Sequence, residues 1–154
     1  MKLANALSQR AELQTRIHQL EARLYNNAQV QEGEQPAEDP RELLRELEED
    51  YVRLEALISA INRTNNAART EDGATLSDLL ARRDCLRGKL GILRNFLDNA
   101  SALVRRRTAG EIKVKSSVNV RELQKQVDGL SKELRQLEEI IQEKNWTTEL
   151  LSNE

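Results

Sequence analysis

The densest chemistry in the sequence is cationic. Arg105, Arg106 and Arg107 stand together, and Lys113 and Lys115 follow at alternate positions. Alternate lysines on an extended segment point to one face, and with three arginines beside them they would neutralise several phosphates without reading base sequence. No aromatic residue interleaves the run, so stacking on single-stranded bases has no platform. The bland counterpart is a solvated face or a salt-bridged contact between chains. An anionic ligand or nucleic acid is the partner this segment would take.

A second polar set comes from charges at positions where apolar residues belong. Arg10 and Arg83 fall in the apolar register of their helices, and a guanidinium taken out of water demands a partner. With Asn62, Arg63 and Asn65 they form a candidate polar cluster at one end of the expected bundle, able to hold an anion. The structural counterpart is an internal ion pair that fixes register or oligomer state. Elsewhere the chemistry is thin. His18 has no second histidine or cysteine at ligand spacing, and Cys85 has no histidine nearby, so neither a metal site nor a thiol nucleophile is expected. Glu48-Glu49 and Glu138-Glu139 are sequence neighbours that diverge around a helix and make no acid/base dyad. Gly88-Lys89 lacks the upstream glycine and following hydroxyl of a phosphate loop. No catalytic residue, no metal and no cofactor is expected, and the chain reads as a non-enzyme.

Those residues must be positioned by long helices. The 154 residues carry 24 Lys and Arg against 26 Asp and Glu, with one Phe, one Trp, two Tyr, six Gly and two Pro. Few breakers and many charges belong to helices with narrow apolar stripes, not to a sandwich or an α/β enzyme. The charge is uneven, because residues 1 to 50 hold 6 basic and 11 acidic side chains while residues 82 to 115 hold 10 and 3. No run is apolar enough for a signal sequence or a membrane span, and the single Cys85 forbids an internal disulfide. A cytoplasmic chain without membrane contact is the expectation.

The clearest periodicity runs from Val120 to Ile141. Val120, Leu123, Val127, Leu130, Leu134, Leu137 and Ile141 alternate steps of three and four, the seam of a coiled coil. Leu3, Ala6, Arg10, Leu13, Ile17, Leu20 and Leu24 do the same near the start, and Leu44, Leu47, Tyr51, Leu54, Ile58 and Ile61 follow. Leu76, Leu79, Arg83, Leu86, Leu90, Leu93, Leu97, Ala100 and Val104 complete the set. The spacing predicts helices over about 2–28, 40–65, 76–104 and 120–145 in one domain, 1–154. Asp39-Pro40 and Asn119 are the expected starts of the second and fourth. Gly88 and Gly91 inside the third suggest close approach of another helix, and Trp146 suggests an anchor for the tail. Alternation at Ile112, Val114 and Val118 predicts a strand, and Gln29 to Gln31 would pair with it as a small β element near 29–31 and 111–118.

The runs Val30-Gln31-Glu32-Gly33, Ile61-Asn62-Arg63-Thr64-Asn65, Asp72-Gly73-Ala74-Thr75-Leu76, Glu111-Ile112-Lys113 and Asn145-Trp146-Thr147-Thr148-Glu149-Leu150 occur in this order across nearly the whole chain. In them the sequence resembles the septicolysin-like family of small bacterial proteins. The resemblance implies a helical homo-oligomer, with a hexamer as the assembly, no assigned biochemical role and no catalytic residues to carry over. Its name implies cytolysin-like activity.

The expected architecture is all-α, four heptad-patterned helices in an antiparallel bundle or coiled coil. Leu43, Leu57, Leu80, Ile92, Phe96 and Ile140 lie outside the seams and are the expected subunit contacts. The expected function is structural, a coiled-coil homo-oligomer, with anion or nucleic-acid binding through residues 105–115 as the competing reading.

Overall fold

The computed structural model describes residues 1–102 and 112–151. Four helices account for most of them: α1 (Leu3–Asn26), α2 (Pro40–Ala67), α3 (Leu76–Ser101) and α4 (Val120–Thr147). The all-α expectation holds, with boundaries within three residues of those read from the seams. Two of the caps are as expected. Asp39 accepts from the Arg41 N–H at 2.9 Å ahead of Pro40, and the Asn119 side chain accepts from the Glu122 N–H at 3.2 Å. α2 runs on to Ala67 without any left-handed residue, two residues past the expected end.

The chain groups into two compact units, one of residues 1–75 and 144–154 and the other of residues 76–143. In the first, α1 and α2 form an antiparallel hairpin. On α1 the seam buries Leu3, Ala6 and Leu20 and half-buries Leu13, Ile17 and Leu24, as the spacing predicts. On α2 the register differs from expectation. The buried line is Leu43, Asp50, Leu54, Ile61 and Thr64, with Leu47 and Leu57 half-buried, whereas Leu44 and Tyr51 stay 55% and 53% exposed. Two apolar heptad lines lie side by side on this helix, and the one chosen by α1 contains an aspartate. Leu43, expected as a subunit contact, is thus part of the chain's own core.

The tail closes this unit through its backbone. Leu3 N–H donates to Thr148 O at 2.9 Å and Leu150 N–H to Met1 O at 2.8 Å, with Lys2 and Glu149 bridged in antiparallel sense. Thr64, buried in α2, donates its hydroxyl to Ala60 O at 2.8 Å and accepts from Leu151 N–H at 3.0 Å, so one side chain serves both as donor and acceptor. Trp146 is not the anchor expected of it, since it is exposed. Between α2 and the second unit, Gly73 takes φ 86°, a conformation open to glycine, and the turn is closed by Thr70 N–H to Ala74 O at 2.9 Å.

In the second unit α3 and α4 share a core of Leu86, Leu90, Leu97 and Val127, against which Leu93, Val120, Leu123, Leu130 and Leu134 are only partly buried. Arg82 pairs with Glu133, Arg87 with Glu138, and the Arg94 guanidinium donates to Ser131 Oγ at 2.9 Å. Among the described residues no helix approaches Gly88 or Gly91 closely, because a Cβ built on either meets nothing within 4 Å.

The small β element is absent among the described residues. Residues 29–31 and 112–118 form no strand, and Ile112 is 94% exposed. A short alternating run has no reason to stay extended unless a paired edge satisfies its backbone, and here none does.

Candidate functional site

Asp50 is the most unusual residue of the first hairpin, 1% exposed in the heptad line that α2 turns toward α1. Arg16, one helix across, brings Nε to 3.0 Å from Asp50 Oδ2 and Nη2 to 2.8 Å from Glu46 Oε1. The Nε contact is an ion pair without a well-aligned hydrogen bond, so Oδ2 remains unsatisfied as an acceptor. The Glu46 hydrogen bond, followed by the charge of Asp50, holds the Arg16 guanidinium above its ordinary pKa. Glu46 also lies 3.7 Å from Arg23, and Arg23 grips Glu38 with Nη2 at 2.6 Å and Nε at 3.1 Å. Five charged groups therefore form a continuous ladder along one flank of the hairpin.

The ladder ends in a staple for the connecting loop. Asn27, buried at the end of α1, donates Nδ2 to Arg23 O at 2.8 Å and accepts from Glu38 N–H at 3.0 Å. The hydrogen bond from Arg23 pulls the Glu38 carboxyl below the usual glutamate range. Beside the ladder an open groove of about 400 Å³ is lined by Gln9, Glu12, Leu13 and Arg16 of α1 and Arg53 and Leu57 of α2. Its floor is two leucines and its rims are polar.

The residues singled out by sequence fare differently. Lys113 and Lys115 are exposed in an irregular segment, and Arg105, Arg106 and Arg107 lie outside the described residues. Of the polar end cluster, Arg10 is half-buried on α1. Asn62 is exposed, Asn65 half-buried, and the Arg63 guanidinium donates to Ser59 Oγ at 2.8 Å on its own helix. Arg83 lies in the second unit, hydrogen-bonded to its neighbour Asp84 at 2.9 Å. His18 stands 3.6 Å from Glu21 on an exposed turn, and Cys85 is exposed. Among the described residues no three His, Cys, Asp or Glu side chains gather as a metal site would require, and no helix is long and apolar enough to cross a membrane.

Asp50, Arg16, Glu46, Arg23 and Glu38 were missed by the sequence reading. The signal for Asp50 was present, because Leu43, Leu47, Asp50, Leu54, Leu57, Ile61 and Thr64 alternate steps of four and three. The richer Leu44 line masked it. What the ladder does chemically is orient two helices and tie a loop. It presents no nucleophile and no base within reach of one.

The model of a family of unknown function, DUF6847, matches residues 10–150. The chain belongs to that family. A solved structure described as a functionally unknown conserved protein from Corynebacterium diphtheriae is 43% identical, with 98% of this chain and 99% of that one covered and a TM-score of 0.90. No curated protein matches. DUF6847 carries no activity in its description, and the septicolysin-like likeness stays a resemblance.

Proposed function

We propose that this chain is a cytoplasmic structural or interaction protein that assembles with copies of itself. The observation that carries the reading is the half-open state of both hairpins. A pair of helices covers one narrow stripe of each, and helices of this length depend on tertiary burial for most of their stability. Here five seam residues of α3 and α4 are only partly buried, while Ile92 and Phe96 on α3 are 72% and 45% exposed. Exposed apolar residues at helical spacing mark association surfaces. The absence of an enzymatic role belongs to the same proposal, since the ladder serves packing, and so does the hexamer implied by the resemblance. Multi-angle light scattering at micromolar concentration tests it, with an integral multiple of the chain mass expected and a monomer at every concentration contradicting it.

The exposed Lys113 and Lys115 favour a second reading, anion or nucleic-acid binding through the 105–115 segment. Retention on DNA or RNA at about 50 mM salt, lost at about 200 mM, would support it. Retention that survives replacement of Arg105, Arg106, Arg107, Lys113 and Lys115 by Ala would sink it.

A further inference from the structure

The half-open first hairpin has one flank with the makings of a seam. At about 100° per residue, Arg53 and Leu57 of the groove lie to one side of the line that α2 buries. Leu44, Leu47, Tyr51 and Ile58 lie to the other. On α1 the matching division sets Gln9, Glu12 and Arg16 toward the groove and Leu7, Arg10 and Ile17 toward the second flank. That flank is mostly apolar, with Leu44 and Tyr51 more than half exposed and Leu7, Ile17, Leu47 and Ile58 half-buried.

We infer that this flank is where a second copy of the same hairpin docks, about a two-fold axis running along the helices, with Arg10 of each copy paired to Glu55 of the other. The inference rests on the self-assembly proposed above and specifies its surface. Charge and register argue for a second copy as the occupant. Arg10 is half-buried and Glu55 exposed, and neither has an ion pair or hydrogen bond among the described residues. Their heights also agree. Arg16 reaches both Asp50 at 3.0 Å and Glu46 at 2.8 Å, so it stands between their levels. Six residues back along α1 and six onward along α2, Arg10 therefore stands between the levels of Val52 and Ala56, within the turn that carries Glu55. A two-fold axis parallel to the helices preserves height, so α1 of one copy lies against α2 of the other in the register already used within the chain. Ile17 then falls in the turn of the second copy that carries Leu47, so that the two apolar side chains meet across the seam. The same operation meets each lone arginine with a lone glutamate, twice per dimer, as an isologous contact requires. This gives Arg10 its reason for standing in an apolar register.

The test uses the full chain and reads mass and helicity together. Tyr51→Lys and Leu44→Lys replace exposed side chains, so helical circular dichroism should be unchanged while the dissociation constant of the assembly rises about tenfold to a hundredfold. Arg10→Glu and Glu55→Arg should each weaken assembly, and the double exchange should restore it toward wild type. A wild-type oligomer whose mass ignores the lysine variants, with no rescue by the double exchange, overturns this surface and leaves self-assembly standing. A wild-type monomer removes both. Should either lysine variant lose helicity, the charge exchange decides, with rescue supporting the surface and no rescue overturning it.

Discussion

The ion pair of the first hairpin, Arg16 with Asp50, has two unequal members. Arg16 is half in water, so it loses little when Asp50 is removed, whereas Asp50 at 1% exposure has nowhere else to place its charge. Removing the arginine leaves the buried carboxylate uncompensated and lowers stability, while an apolar replacement of the buried member is often neutral or stabilising. Arg16→Ala is therefore expected to lower the denaturation midpoint sharply, and Asp50→Leu to leave it unchanged or raise it. Urea melts of the two variants check this, and equal losses for both would contradict it. Glu38 adds a pH dependence. Its folded pKa is depressed by Arg23, so the tie it provides is present above the unfolded glutamate value of about 4.3 and fades as pH falls through the lower folded value. Exchange protection of the Glu38 amide, bonded to Asn27, should hold at neutral pH and drop in acid, and an Asn27→Ala variant should lack it at every pH.

At the scale of the element, legibility tracked how many physical requirements a segment satisfied at once. α1, α3 and α4 each have one apolar line, and that line is the one buried. α2 has two, and composition favours Leu44, Tyr51 and Ile58 over the line with Asp50. Only the partner's position decides between them, and α1 occupies the poorer one. Ile112 to Val118 have alternation but no edge to pair with among the described residues, and alternation alone does not build a strand. Gly88 and Gly91 of α3 misled in the opposite sense, and Gly129 of α4 stands in the same kind of open space. A Cβ at Gly91 or Gly129 enters open space, so each glycine costs helix stability with no packing return in the chain. Gly91→Ala and Gly129→Ala should each raise stability by about 0.5–1 kcal/mol. A fall in the thermal midpoint would mean that another chain approaches these positions closely.

For the whole molecule, the central quantity is apolar surface that the single chain leaves in water. Two helical hairpins, each with one narrow seam, expose Leu44, Tyr51, Ile92 and Phe96 at helical spacing. These are the surfaces that the proposed self-assembly would use. The same logic separates assembly from charge. Replacing Lys113 and Lys115 by Ala should leave the oligomer intact, because they lie outside both seams. The measurement that bears most directly on the account is sedimentation equilibrium of the full chain across the micromolar range. Self-assembly requires a discrete species at an integral multiple of 17.6 kDa that dissociates on dilution. A helical, stable 17.6 kDa monomer at every concentration would contradict it.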